Sequence, residues 1–213
     1  MNEYINHIIK KLDKSYRNIN TELIYNSPFQ LLIATILSAQ CTDKIVNKTT
    51  VNLFKRYPYV RDLAEADIED VKKLIKSTGY YKLKARRIIN TSNRIIEKHN
   101  EKIPDNMQDL LELDGVGRKT ANIVLSVAFN KNEGIAVDTH VARLSKRLNL
   151  TRNINPKKIE NDLLKVIPEE FWGRISILFI LHGRTICQAK KPDCNNCMLN
   201  NICPYWKEVL RNK

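Results

Sequence analysis

Glycine and proline are scarce in this chain, six and seven among 213 residues. That excludes collagen-like and Pro/Gly-rich low-complexity character. Long apolar runs are missing too. The longest, Phe29 to Leu37, is broken by Gln30 and Thr35 and is far too short to span a bilayer. The opening stretch MNEYINHIIKKLDKSYRN has no long apolar core and no small-residue cleavage site, so a secretion signal is not expected. Glu3, Asp13 and the scarcity of Arg argue against a mitochondrial presequence, and the expected location is the cytoplasm. Acidic residues are in deficit, 23 Asp+Glu against 36 Lys+Arg, a formal charge of +13. The excess points to a polyanion, nucleic acid ahead of a membrane surface because no strongly basic membrane helix stands out. A lysine-rich proteome is the competing explanation. With 43% hydrophobic and 28% charged residues, the chain has the balance of a globular protein rather than a disordered one.

Regular apolar spacing reads as helix almost throughout. Ile5, Ile8, Ile9, Leu12 and Tyr16 make one stripe of an amphipathic opening helix. Ser27-Pro28-Phe29-Gln30 carries three start signals: Ser27 can cap, Pro28 suits the first helical position, and Gln30 can close a capping box. The following LLIATILSAQ is apolar on nearly all sides and belongs at the centre of a helical domain. Further helices are expected near 43–56, 67–77, 82–99, 107–113, 118–130, 138–148, 156–166 and 169–185. Gly79 reads as a helix stop and Asn155-Pro156 as a start. No segment alternates like a strand, so the expected fold class is all-α. If there are two domains they pack closely, with Asn130 to Ile135 as the crossing point.

Four of the five cysteines, Cys187, Cys194, Cys197 and Cys203, follow a C-x6-C-x2-C-x5-C pattern. Four thiols in a short contiguous stretch, without a secretion signal, indicate a metal or cluster site before a disulfide pair. Zinc more typically shows two C-x2-C knuckles a dozen or more residues apart, and only one is present. A cubane iron–sulfur cluster suits the compact loop, with zinc and plain structural cysteines as alternatives. Cys41 stands apart in the apolar helix and reads as a small buried hydrophobe. Arg184, Lys190 and Lys191 border the block as either solvated charges or phosphate contacts.

Leu113-Asp114-Gly115-Val116-Gly117-Arg118-Lys119-Thr120-Ala121 joins two helical stretches through a tight glycine turn. Gly115 and Gly117, with Val116 between them, allow positive φ and close backbone approach. A helix starting straight afterwards turns its N–H groups and positive dipole end toward an anion such as a DNA phosphate. A plain helical hairpin is the alternative. Arg118 and Lys119 then occupy a helix end that disfavours cations. Arg118 could meet phosphate, and the amine of Lys119, once neutral, is a nucleophile toward carbon of the kind that forms Schiff bases. Downstream, VDTHVAR puts Asp138 at a helix start, where an N-cap is the simplest role. His140 and Arg143 in that motif are candidate DNA contacts, with packing as the competing role of His140.

LDGVGRKTAN, then VDTH, then the four-cysteine spacing resemble the endonuclease III branch of the helix–hairpin–helix DNA glycosylases, and the similarity runs from SPFQLLIATILSAQ through GYYKLKA to the last cysteine. The resemblance implies base-excision repair of double-stranded DNA containing oxidised pyrimidines or abasic sites. It implies a bifunctional glycosylase and abasic-site lyase, one 4Fe-4S cluster on the four cysteines, a monomer, no membrane partner and a nucleoid-associated location. It implies a six-helix domain bearing the hairpin, 22–132, and a second helical domain, 1–21 with 133–213, carrying the cluster. By position Lys119 matches the Schiff-base lysine and Asp138 the catalytic aspartate. Gln40 and Tyr80 match positions that fill or wedge the gap left by a flipped nucleotide. Three departures stand out: Asp114 where the family often has proline, with capping of the next helix as its alternative use, Tyr80 where leucine is frequent, and the atypical Lys82-Leu83. The competing functions are a monofunctional glycosylase of the same superfamily, which generally lacks the lysine, a non-catalytic DNA-binding module, and an iron–sulfur electron carrier.

Overall fold

The computed structural model describes residues 2–17 and 21–211. Among them are twelve α-helices, three short 3-10 turns and no strand; none of the helices is long and apolar enough to cross a membrane. The chain divides into two compact units, Thr21–Glu133 and Met1–Asn20 with Gly134–Lys213. They are called here the hairpin unit and the cysteine unit.

The hairpin unit contains α2 (Pro28–Leu37), α3 (Asp43–Arg56), α4 (Val60–Ala64), α5 (Ile68–Leu74), α6 (Tyr81–His99), α7 (Met107–Leu111) and α8 (Arg118–Phe129). Ser27 caps α2 by accepting the Gln30 N–H, with Pro28 in the first turn. Gln30 does not close a capping box on Ser27; its Oε1 reaches one residue further and accepts the Asn26 N–H at 3.0 Å. Phe29, Leu31, Leu32, Ile33, Ile36 and Leu37 are all buried, each contributing about 1.5–3 kcal/mol by leaving water. An all-round apolar helix therefore lies in the core, with Val46, Leu53, Ile88, Ala121 and Leu125 in the same cluster.

Seven α-helical segments stand here where six are expected. The extra one is α4, a single turn too short to show a period, whose start is tied by Asp62 Oδ2 accepting the Tyr59 N–H at 2.9 Å. The stretch expected as one helix over 67–77 ends at Leu74 and continues as a 3-10 turn, Lys76–Thr78, stopped by Gly79 at φ 67°. Cys41 lies beyond the end of α2 rather than within it, half-buried against the core.

The cysteine unit contains α1 (Asn2–Ser15), α9 (Thr139–Arg147), α10 (Pro156–Leu164), α11 (Trp172–Thr185) and α12 (Pro204–Arg211). Ile5, Ile8, Ile9 and Leu12 of α1 join Val141, Leu144, Ile159, Leu163, Leu178 and Phe179 in one core. Asn155 accepts the Lys157 and Lys158 N–H groups, and Pro156 opens α10. The segment expected to be helical from 169 first makes a 3-10 turn, Glu169–Phe171. Helix α12 lies past the expected elements, because the cysteine spacing dominates that stretch of sequence.

Candidate functional site

In the hairpin unit, α7 and α8 are joined by a turn that rests on α6. Gly115 takes φ +78°, and a Cβ there would sit 2.9 Å from Arg87 Cδ, so glycine answers both a left-handed backbone and a close approach. Thr91 Oγ1–H donates to the Asp114 carbonyl at 2.6 Å, and Asn90 Nδ2–H donates to Asp114 Oδ2 at 3.0 Å. Asp114 therefore docks the turn onto α6 and does not cap α8. The cap is Gly117, which brings no capping side chain, unlike Ser27, Thr42, Asp67 and Asn106 at other helix starts of this unit. Val116 is buried beneath the turn, while Arg118 and Lys119 occupy the first two positions of α8 and are exposed. Two cations thus stand at the positive end of a helix dipole with no acidic residue in that turn.

Gln40 and Tyr80, on two other loops of this unit, share an unusual backbone. Gln40 has φ 54° and Tyr80 φ 48°, both left-handed, and both side chains are exposed. The Cys41 N–H closes the first turn on the Ser38 carbonyl at 3.1 Å, and the Tyr80 carbonyl accepts the Leu83 and Lys84 N–H groups at 3.0 Å to start α6. A bulky residue in this region is an outlier costing about 1–3 kcal/mol, sustained only by its surroundings.

In the cysteine unit, Asp138 caps α9 through a single oxygen: Oδ1 accepts the His140 and Val141 N–H groups, each at 2.8 Å. Oδ2 lies outside that cap, so capping does not consume the carboxylate. The buried segment before it is pinned at two amides, Ile135 N–H to buried Glu160 Oε1 at 3.2 Å and Ala136 N–H to buried Ser176 Oγ at 2.9 Å. Glu160 and Ser176 carry no motif and went unnoticed in the sequence; only the fold brings them, 25 and 40 residues downstream, to this segment.

His140 and Arg143 are tied inward. Arg143 donates to the carbonyls of Gly183 at 2.9 Å and Cys187 at 3.1 Å, and to His140 Nδ1 at 3.0 Å. Because arginine only donates, Nδ1 is the acceptor and Nε2 carries the ring proton. Burial lowers the His140 pKa, with Arg143 and Arg184 adding to the shift against the opposing pull of Asp138, so the ring is neutral at pH 7. Arg143 is thus a brace between α9 and α11 more than a surface cation. Gly183 makes that approach possible, since a Cβ there would meet His140 Nδ1 at 2.9 Å and Arg143 Nη2 at 3.0 Å.

Cys187, Cys194, Cys197 and Cys203 are all free thiols and line one small cavity with Leu144, His182 and Leu199. Burial pushes the Cys197 thiol up to about 11, the other three cysteines adding to it. Several nitrogen atoms face the sulfurs. Arg147 Nη1–H lies 3.2 Å from Cys187 Sγ, the Leu199 N–H 3.4 Å from Cys197 Sγ, and His182 Nε2 3.4 Å from the same atom. Among the described residues no group of His, Cys, Asp or Glu is arranged to hold a single metal ion. Four sulfurs around a shared cavity, with N–H donors directed at them, fit the thiolate shell of a polynuclear iron–sulfur centre.

Arg147 was not singled out in the sequence, where it looks like any helix-end cation. It also donates to the carbonyls of Gln188 at 2.8 Å and Ala189 at 3.0 Å, and its guanidinium lies 4.5 Å from the Tyr205 ring centre. Arg184, Lys190 and Lys191 are exposed around this loop.

A family described as HhH-GPD superfamily base excision DNA repair protein matches residues 33–169. Endonuclease III of Synechocystis is 48% identical over 197 residues, covering 92% of this chain and 90% of the relative. The chain belongs to the endonuclease III family. Endonuclease III of Haemophilus influenzae is 45% identical over 202 residues, covering 95% of each chain. A solved structure of a trapped endonuclease III–DNA covalent intermediate matches with TM-score 0.91 and 40% identity over 99% of both chains. As an endonuclease III family member, the protein is an enzyme of base-excision repair, a DNA glycosylase with abasic-site lyase activity.

Proposed function

We propose that this enzyme removes oxidised pyrimidines from double-stranded DNA and cuts the strand 3′ to the resulting abasic site, with Lys119 as nucleophile and Asp138 as catalytic carboxylate. The observation that carries this reading is Lys119 itself: an exposed amine in the first turn of α8, directly after a glycine turn with no capping side chain. The backbone N–H groups of that turn suit a phosphate, with Arg118 beside them. Endonuclease III in the trapped structure is covalently bound to DNA, which accords with a nucleophile in the protein.

The neutral amine of Lys119 attacks C1′, the bond from C1′ to the base breaks, and the base leaves with the electron pair and takes up a proton. The amine gives up a proton, its nitrogen lone pair expels O4′, which takes up a proton as the sugar ring opens, and an iminium remains at C1′. Removal of a C2′ proton then expels the 3′ phosphate by β-elimination. Asp138 stabilises the positive charge that develops as the base departs.

Cys187, Cys194, Cys197 and Cys203 hold one 4Fe-4S cluster in this reading. When bound, the cluster supplies a rigid, positively charged core for the four thiolates and takes no part in bond breaking. The loop then presents Arg184, Lys190 and Lys191 to phosphates, with His140 contributing its Nε2–H and Gln40 and Tyr80 entering the gap left by the extruded nucleotide. The enzyme acts as a monomer on the nucleoid in the cytoplasm. A monofunctional glycosylase is disfavoured by Lys119, and a purely binding module by family membership.

Borohydride reduction tests the chemistry. Wild type becomes permanently linked to a duplex carrying thymine glycol and to a preformed abasic site, and Lys119→Ala loses both links. Asp138→Asn keeps the cap yet slows base removal about a hundredfold. Normal trapping by Lys119→Ala, or wild-type excision by Asp138→Asn, overturns the corresponding assignment.

A further inference from the structure

Six described residues other than glycine have positive φ, and three of them are asparagines, whose short polar side chain tolerates that region. The other three, Gln40, Tyr80 and Glu101, have no such excuse; Glu101 pairs with Arg61, and neighbouring structure must hold Gln40 and Tyr80. One side chain reaches both loops. Lys84 lies one turn into α6 and is only 3% exposed, which is rare for a lysine. Its amide donates to the Tyr80 carbonyl at 3.0 Å, and its side chain leans back toward the start of the helix. There Nζ donates to the Leu37 carbonyl at 2.8 Å and to the Thr78 carbonyl at 2.7 Å.

Leu37 is the last residue of α2 and Thr78 the last of the 3-10 turn, and carbonyls at helix ends lack partners within their own helix. Gln40 follows the first by three residues and Tyr80 follows the second by two. Burial lowers the pKa of the Lys84 amine, while Cys41, next to Gln40, acts in the opposite direction.

We propose that Lys84 is a positioning residue that clamps two loops at once, holding Gln40 and Tyr80 in the left-handed conformations that present both side chains to DNA. The part those loops play on DNA rests on the reading above; the clamp itself is a statement about the protein. A single ammonium bonded to two helix ends couples the loops, so loosening one loosens the other. An apolar side chain of the same length fills the space and leaves two buried carbonyls without a donor.

The test is Lys84→Met, read in two ways. In the protein alone, amide hydrogen exchange accelerates in segments 38–41 and 79–83 together and stays at the wild-type rate in the rest of Thr21–Glu133. On DNA, excision from a fully paired duplex slows at least about tenfold, and strand cleavage at an abasic site in a single strand, where no duplex gap needs filling, changes less than about twofold. In the Gln40→Ala/Tyr80→Ala background, Lys84→Met adds little further loss on the duplex.

Exchange that rises in only one loop, or uniformly through the unit, overturns the clamp. So does equal slowing on paired and single-stranded DNA. A wild type that neither excises nor traps overturns the proposed function, while the exchange measurement still decides the clamp. Lys84→Gln ends one atom short of Nζ, so it cannot bond both carbonyls at once, and it serves if the Met variant does not fold. Faster exchange in both loops supports the proposal, and wild-type exchange in both overturns it.

Discussion

The hairpin unit presents its candidate site on backbone, and the cysteine unit on side chains. Around Gly115 and Gly117 the elements are a left-handed turn, an uncapped helix start and two cations, all within nine residues, Leu113 to Ala121. Around the four thiols the loop is tied by Arg143 and Arg147 from α9, 40 or more residues earlier in the chain, and by His182 from α11. A site made by local backbone conformation is carried by an apolar core that forms without any ligand. A site made by thiols crowded into one cavity depends on whatever neutralises them. The two units are therefore expected to respond differently to the same insult.

Removing the proposed cluster is the largest such insult. Wild type purified without oxygen is expected to be brown with about four irons per chain, and Cys194→Ser to lose colour and iron together. Limited proteolysis of that variant, read by mass spectrometry, is expected to cut within 187–203 while Thr21–Glu133 survives. Simultaneous loss of both units breaks the contrast, and stoichiometric zinc in place of iron ends the cluster assignment.

Arg147→Met comes next. It removes donors to Cys187, Gln188 and Ala189 together with the stacking on Tyr205, a loss of about 3 kcal/mol. Visible absorbance under air is expected to fade faster in this variant, with the hairpin unit unaltered by hydrogen exchange. An equal rate of fading leaves Arg147 with packing alone.

The two crowded glycines allow a finer comparison. Gly115→Ala meets a left-handed backbone and Arg87, and Gly183→Ala meets His140 and Arg143 with no unfavourable φ. Each is expected to cost about 1–3 kcal/mol in denaturant unfolding, but Gly115→Ala should weaken DNA binding and Gly183→Ala should hasten cluster loss. Gly117→Ala meets nothing within 4 Å, so it costs only the difference between glycine and alanine at a helix N-cap, about 0.5–1 kcal/mol. If Gly115→Ala and Gly183→Ala exchange these effects, the division of labour between the units is wrong.

Asn90→Ala, which removes the exposed bond to Asp114, is comparably mild. It is expected to cost about 0.5–1 kcal/mol and to leave the Thr91 bond to the Asp114 carbonyl holding the turn. A loss several times larger makes Asn90, rather than Thr91, the main tie of the hairpin.

What could be read from the sequence follows the same division. The 3.6-residue spacing of Ile5, Ile8, Ile9 and Leu12 announces a buried face, and those residues are buried. Gly79 ends a helical turn and Asn155-Pro156 starts a helix as their chemistry dictates, because caps act over a few neighbouring residues. The single-turn α4 and the break after Leu74 were not legible, since one turn has no period to detect.

The site divides in the same way. Lys119 at a helix start, Asp138 at a cap position and four clustered cysteines are all local patterns, so sequence alone was enough to nominate them. Only the tertiary structure could show that Asp114 turns to Asn90, that Arg143 and Arg147 brace a loop 40 residues away, and that one buried lysine joins the ends of two helices. Those contacts depend on which segments the apolar cores bring side by side. No spacing along the chain encodes a partner that lies across the fold.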